Sequence, residues 1–318
     1  MTALSGSEAR PKVSLGLPVY NGARYLGRAL DCMLAQDFCD FELVISDNAS
    51  TDDTEKICRG YAERDARIRL TRNPCNLGIA ANFRRVFELT TGRYFKWVVH
   101  DDEMLPTYLS CCVKQLDAAP LDVVLVYPRT TLIDESGKEI EPYDDHMDLR
   151  QARPHERLRH LLRHLRYNHC GLGLIRADVL RDTRLERGFE SSDVVLLAEL
   201  ALRGQFWEHP ERLYRRRVHP ESSFGRYLSP EDYAEKMDPA NRGKFPMPRT
   251  KLFVEILRAI RLAPIRDGDK LLCATMLFEA WGPRFWRVIG GEFRRRLRHE
   301  WKQLRISSRG RPGEADRS

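Results

Sequence analysis

Nowhere in the 318 residues is there a run of roughly 18 apolar residues, the length a membrane-spanning helix needs. The first dozen residues, Met1 to Lys12, are polar and lack the apolar centre of a secretory signal. Both absences predict a protein made and kept in the cytosol. The eight cysteines include no Cys-x-x-Cys pair, and Cys111 and Cys112 are adjacent, which suits neither a zinc ribbon nor a disulfide framework. Reduced, mostly buried thiols are expected. Glycine-rich phosphate loops are missing as well. No Gly-x-Gly-x-x-Gly follows the first apolar run and no Gly-x-x-x-x-Gly-Lys-Ser/Thr occurs, so phosphates are not cradled in the dinucleotide or P-loop manner.

Charge is plentiful but unevenly placed. The net charge is +7, yet residues 244–318 hold 18 Lys and Arg against 8 Asp and Glu, which leaves the preceding part at −3. A basic tail can meet nucleic acid, an anionic membrane surface or only water. A nucleic-acid-binding sheet would interleave basic and aromatic residues. The main domain is slightly acidic instead, and no nucleic-acid partner is expected.

The apolar pattern alternates between strand and helix. Val13 to Leu17 reads as a strand, followed by the turn Pro18-Val19-Tyr20-Asn21-Gly22 and a helix with Leu26, Leu30 and Met33/Leu34 on one face. Phe41 to Ser46 repeats the strand and ends in the polar loop Asp47-Asn48-Ala49-Ser50-Thr51-Asp52-Asp53, ahead of a helix through Ile57 and Tyr61. Ile68 to Leu70, a loop from Asn73 to Gly78, and a helix through Ile79, Phe83 and Val86/Phe87 form the third unit, and Tyr94 to Val99 is a buried strand. This alternation predicts an α/β fold, a doubly wound, mostly parallel, Rossmann-like sheet with crossovers on both faces. Val123 to Tyr127 adds a strand, and Phe206-Trp207 with Leu213-Tyr214 a pair of strands. Past residue 225, Pro230, Pro239, Pro246 and Pro248 lead into a C-terminal helical extension. The expected organisation is a flexible N-terminus (1–12), an α/β domain (13–225), a basic helical region (226–309) and a disordered tail (310–318).

Tyr94 to Val99 runs into His100-Asp101-Asp102. Carboxylates at the C-terminal edge of an open α/β sheet stand where ligands bind. Side by side they repel, and a divalent metal carrying phosphate oxygens would neutralise them. The plain alternative is a solvated loop in which Asp102 caps a helix from Leu105 to Leu116. His160 and His164, one turn apart, invite a metal too, but Arg157, Arg159, Arg163 and Arg166 around them disfavour a cation. Asp193 precedes the apolar helix Val194 to Leu202, where the helix macrodipole favours negative charge. It reads as a cap or as a functional carboxylate.

In order and spacing, Pro18 to Gly22, Asp47 to Asp52, Asn76-Leu77-Gly78 and His100-Asp101-Asp102 resemble the family 2 glycosyltransferases with the GT-A fold, over about residues 13 to 225. The resemblance implies inverting transfer of a sugar from a nucleotide diphosphate donor to an acceptor hydroxyl, with Mg2+ or Mn2+, in cell-surface polysaccharide or glycoconjugate synthesis. Carried over by residue, it implies a nucleotide site of Pro18, Val19, Tyr20, Asn21, Asp47, Asn48, Gly78 and Asp101. In it Pro18 to Tyr20 line the base, Asp47 accepts from the imide nitrogen of uracil or thymine, and Asp101 meets the ribose. A UDP- or dTDP-sugar is therefore the implied donor. Asp102 is implied as the metal ligand, His219 as a further one, and Asp193 as the catalytic base. His100 departs from the motif, which often begins with aspartate, and Ser192 stands where an acidic residue is frequent.

The sugar and the acceptor, including whether it is lipid-linked, are left open. So are two rivals, a nucleotide-sugar-binding protein without transfer and a nucleotidyltransferase. In the C-terminal region Phe285, Trp286, Ile289, Phe293, Leu297 and Trp301 recur near helical spacing with Arg287, Arg294, Arg295, Arg298 and Lys302 between them. That pattern fits a helix packed on the domain, or an interfacial helix making peripheral contact with the inner face of a membrane.

Overall fold

A computed structural model describes residues 10–220 and 228–309; the expectations for 1–9, 221–225 and the tail 310–318 fall outside the described residues. Three strand–helix units open the chain: β1 (Val13–Val19) and α1 (Ala23–Leu34), β2 (Phe41–Asp47) and α2 (Thr54–Ala62), β3 (Ile68–Arg72) and α3 (Ile79–Glu88). β4 (Tyr94–Trp97) follows, and the four strands lie parallel in the order β3-β2-β1-β4. Their near-continuous apolar runs follow from burial on both faces. Leu26, Leu30 and Met33 of α1 cover one face, and Val86 and Phe87 of α3 the other. Each such side chain removed from water is worth about 1.5–3 kcal/mol.

The second half is mixed. It comprises β5 (Glu103–Met104), α4 (Tyr108–Ala118), β6 (Val123–Ile133), β7 (Glu139–Tyr143), α5 (Pro154–His164), β8 (Leu174–Arg176), α6 (Ala177–Arg181), α7 (Ser192–Arg203) and β9 (Gln205–Arg217). β8 lies antiparallel between β4 and β6, and β9 runs parallel to β6. Two reversals restore the direction of β4, so β6 and β9 end at the same edge as the parallel strands. The fold is the expected doubly wound, mostly parallel α/β one; β5, β7 and β8 are the strands that run antiparallel to their neighbours.

Two local expectations change. Asp102 caps no helix, because β5 pairs with β9 just beyond it and α4 begins only at Tyr108. The expected pair of strands is one strand, β9. Its register against β6 jumps from His209 to Arg212, and the bulge takes up Pro210, which has no N–H for the ladder.

Three helices complete the described chain: α8 (Pro230–Met237), α9 (Pro248–Leu262) and α10 (Asp267–Arg309), the last broken at Gly282. Leu252, Ile256 and Ala259 of α9 and Cys273 and Leu277 of α10 join the core around α7. Arg184 ties Glu199 of α7 to Glu255 of α9. All eight cysteines are free, but only four are buried, and Cys39 and Cys75 are exposed. Among the described residues no helix is long and apolar enough to cross a membrane.

Candidate active site

The loops leaving β1, β2 and β4 and the end of β9 meet at one edge. Pro18 and Val19 are buried in β1, and Tyr20 stands 43% exposed at the lip. Asn21 has φ 50°; its amide N–H donates to Ser50 Oγ (2.9 Å) and its Oδ1 accepts from the Thr51 N–H (2.8 Å). The loops after β1 and β2 are thereby stitched together. Gly22 has to be glycine, since a Cβ would stand 2.7 Å from the His100 ring. Asn21, Ala49 and Ser191 are three of only five described non-glycine residues with positive φ, so backbone strain gathers at this edge and the cleft beside it.

Asp47, at the end of β2, is fully buried. Its Oδ1 accepts from the Ser50 N–H (3.0 Å) and its Oδ2 pairs with Arg72, the last residue of β3. Arg72 also reaches Glu55 (2.8 Å) and the Ser50 carbonyl (2.9 Å). Arg72 was not singled out by sequence. A cation at a strand end next to a strand ending in aspartate was the available signal.

Asn48 is a clamp on the neighbouring loop, not a residue facing a ligand. Its Nδ2 donates to Asn76 Oδ1 (2.9 Å) and the Gly78 carbonyl (3.2 Å). Its Oδ1 accepts from Asn73 Nδ2 (3.0 Å) and the Leu77 N–H (2.9 Å). Two donors and two acceptor positions exhaust an amide side chain. Gly78 is also walled off: with φ 84°, a Cβ there would lie 2.8 Å from the Met237 carbonyl oxygen. Both residues were expected on the nucleotide. The geometry runs against that, because their polar groups and approach are already taken by the protein.

Asp101 and Asp102 are in unlike surroundings. Asp102 turns inward: Oδ2 accepts from Tyr214 Oη (2.6 Å) and Oδ1 from the Arg217 N–H (2.8 Å). Burial, and then the Asp101 charge beside it, push its carboxyl up to about 6. The nearby Lys96 side chain is fully buried, donates to Tyr108 Oη (3.1 Å) and the Leu172 carbonyl, and is pulled down to about 7 by that burial. Asp101 is the more open carboxylate, with Oδ2 3.0 Å from His219 Nε2. Burial works to raise its carboxyl, but the His219 hydrogen bond and the imidazoles of His100 and His219 outweigh it, and it titrates below the ordinary range.

Arg217, only 2% exposed, holds this arrangement in place. It donates to the carbonyls of Asp101 (2.9 Å), Asp134 (2.8 Å) and Glu135 (3.0 Å) and pairs with Glu103. The Tyr25 ring covers the guanidinium at 5.0 Å and packs on His219 at 4.9 Å. The metal role expected of Asp102 therefore meets a carboxylate whose two oxygens are bonded by protein. The acid placed beside His219 is Asp101.

Val99 and Arg216 help line an adjoining cleft of about 620 Å³, with Phe83, Trp97 and Tyr233 among its walls. Asp193 lies in it, in the first turn of α7, and accepts from Asn168 Nδ2 (2.9 Å). It is not the cap; Ser191 occupies that position, with φ 65° and no side-chain capping bond. Glu186 lines the same cleft and accepts from Ser192 Oγ. Burial, then the charge of Asp193, push the Glu186 carboxyl up to about 8. Neither Glu186 nor Asn168 was expected from sequence.

Known proteins share this framework. The family model described as glycosyl transferase family 2 matches residues 14–184, more than half of the chain. An uncharacterised glycosyltransferase of Rickettsia prowazekii is 29% identical over 130 residues, 41% of this chain and 40% of that protein. An uncharacterised Mycobacterium tuberculosis protein is 28% identical over 203 residues, 63% of this chain and 58% of that one. The chain thus spans well under two thirds of these relatives' lengths. Among solved structures, S. aureus TarS with UDP-GlcNAc superposes with a TM-score of 0.63 at 18% identity, covering 86% of this chain and 73% of that one. A Pyrobaculum calidifontis mannosyltransferase with GDP-Man and Mn2+ gives 0.50 at 17% identity, covering 90% and 85%. At such identities the likeness is one of fold.

Proposed function

Since the chain belongs to glycosyl transferase family 2, we propose that it moves a sugar from a UDP- or dTDP-sugar to an acceptor hydroxyl with inversion, in polysaccharide or glycoconjugate synthesis. The observation that carries the reading is the Asp101–His219 pair, 3.0 Å apart and braced by Asp102 and Arg217 at the edge where the parallel strands end. A carboxylate oxygen and an imidazole nitrogen make a donor set that suits Mn2+ at least as well as Mg2+, because imidazole is the softer ligand. Asp101 and His219 would hold the ion, in place of Asp102, and the ion would offset the charge of the departing diphosphate.

This chain's own residues do the rest. Tyr20 at the lip and Pro18 and Val19 behind it line the base. Asp47 already takes the Ser50 N–H and Arg72, but a carboxylate has lone pairs beyond those two, so an imide N–H would share it while the Arg72 donors meet the flanking carbonyls. Asn21 shapes the loop beneath. In the cleft, Asp193 accepts the proton of the acceptor hydroxyl as that oxygen bonds the anomeric carbon, whose bond to the diphosphate oxygen breaks with the electron pair leaving on the nucleotide. Attack from the face opposite the diphosphate gives inversion.

Thermal shifts with a panel of nucleotide sugars, with and without Mn2+ or Mg2+, test the reading, because a ligand of the folded state alone must raise the melting temperature. Metal-dependent stabilisation by uridine or thymidine donors is expected, reduced about 10²-fold in affinity by Asp101→Asn and His219→Ala. Stabilisation by no nucleotide sugar, or full metal-dependent binding in Asp101→Asn, overturns it.

A further inference from the structure

The C-terminal half of α10 presents a face that the fold cannot use. Past the break at Gly282, Phe285 and Trp286 pack with Phe253, as a helix packed on the domain requires. Phe293, Leu297 and Trp301 do not, and are 49%, 56% and 65% exposed. Glu292 explains why. It is 1% exposed and caps the start of α9, accepting from the Arg249 N–H (3.0 Å), the Thr250 N–H (2.9 Å) and Thr250 Oγ1 (2.7 Å). That contact sets the rotation of α10. At about 100° per residue, Phe293, Leu297 and Trp301 lie roughly 100°, 140° and 180° around the helix from Glu292, on its outward side.

Arg287, Arg294 and Arg298 form the row beside this stripe, roughly 200–240° from Glu292. Among the described residues they and Arg295 have no acidic partner, whereas Arg296, on the opposite flank, pairs with Glu300 (2.8 Å). Val288, Gly291, Arg294, Arg295 and Arg298 line a depression of about 300 Å³, and beyond its chain neighbours and the helix's own backbone nothing lies within 4 Å of where a Gly291 Cβ would stand. Cations around an open depression, beside an aromatic and aliphatic stripe, are complementary to phosphate headgroups above acyl chains.

We propose that this face of α10 docks on an anionic bilayer, with Phe293, Leu297 and Trp301 entering the headgroup boundary and Arg287, Arg294, Arg295 and Arg298 meeting lipid phosphates. Each arginine near such a surface strengthens binding about fivefold, and salt weakens it within a Debye length.

The test is co-sedimentation of the full chain with phosphatidylcholine vesicles with and without phosphatidylglycerol, beside light scattering without lipid. Binding to the phosphatidylglycerol vesicles at low salt is expected, falling at least tenfold in Leu297→Asp/Trp301→Ala and in Arg294→Gln/Arg298→Gln. Both variants should keep the melting temperature and the thermal response to nucleotide sugars. Three results overturn the proposal: no binding at low salt, undiminished binding in both variants, or a lipid-free dimer that Leu297→Asp dissociates, which would make a second copy the occupant.

Discussion

Replacing Asn48 by alanine separates a clamp from a ligand-binding residue. The substitution removes four hydrogen bonds, but their partners do not suffer equally. Asn73 Nδ2 keeps Asn82 Oδ1 (3.0 Å), Asn76 Oδ1 keeps the Gly78 N–H (2.9 Å), and the Gly78 carbonyl keeps the Asn82 N–H (3.3 Å). The Leu77 N–H loses the acceptor it has here. One orphaned amide costs about 1–3 kcal/mol, and three thinned partners add a fraction of ~1 kcal/mol each, so the expected loss is about 2–4 kcal/mol. In a chain of this size that lowers the melting temperature by roughly 5 °C or more. Urea unfolding followed by circular dichroism measures the loss, and calorimetry at a temperature where the variant is folded measures donor affinity, expected unchanged within about threefold. Asn48→Asp supplies the control. It keeps both acceptor bonds but sets a carboxylate oxygen against Asn76 Oδ1 and the Gly78 carbonyl, so it should be no more stable than the alanine variant at neutral pH. Unchanged stability together with a tenfold loss of donor affinity in Asn48→Ala would refute the clamp and return this side chain to the nucleotide.

Asp193→Asn should lower turnover by about 10²-fold or more while leaving metal-dependent donor binding near wild type, read from steady-state rates and calorimetry; normal turnover would remove Asp193 as base. Glu186 titrates near 8 in the fold against 4.5 as its reference, so it contributes stability that is full below about pH 4.5 and lost as pH rises through about 8. Glu186→Gln should flatten that part of the wild-type stability profile, measured by urea unfolding across the window, and an unaltered slope would show that the group titrates elsewhere. Lys96 behaves in the opposite sense: pulled to about 7 from 10.5, it makes stability rise with pH between those values. Lys96→Met should abolish that rise and leave Tyr108 Oη still donating to the Leu172 carbonyl (3.1 Å).

The parallel half of the sheet was legible because double burial writes each strand as an apolar run and each crossover helix as a stripe. β9 was harder, since Pro210 and Glu211 interrupt its pattern where the register slips. At the site, sequence could say that Asn48, Gly78, Asp101 and Asp102 stand at strand ends, but spacing carries no direction. Only the packing of Tyr214 and Arg217 turns Asp102 inward and leaves Asp101 beside His219. Arg217 itself was not singled out by sequence. Arg215, Arg216 and Arg217 look alike in sequence, and the alternation of a strand is what sends one of them into a cage of carbonyls.

That cage bears on how modular the chain is. The family model ends at residue 184, which makes the following loop an inviting point for joining this first half to the second half of another protein of the family. Arg217 lies beyond the join, while Glu103 and the carbonyls of Asp101, Asp134 and Glu135 lie before it. A chimera made there would leave Glu103 to Arg28 (2.7 Å) and take the buried donor from three carbonyls, at a cost of about 1–3 kcal/mol for each one left without a partner, unless the incoming strand carries an arginine in the same register. Exchange of halves is thus governed by one guanidinium, and the safer crossover lies after residue 219, where the second half of the sheet travels with the first.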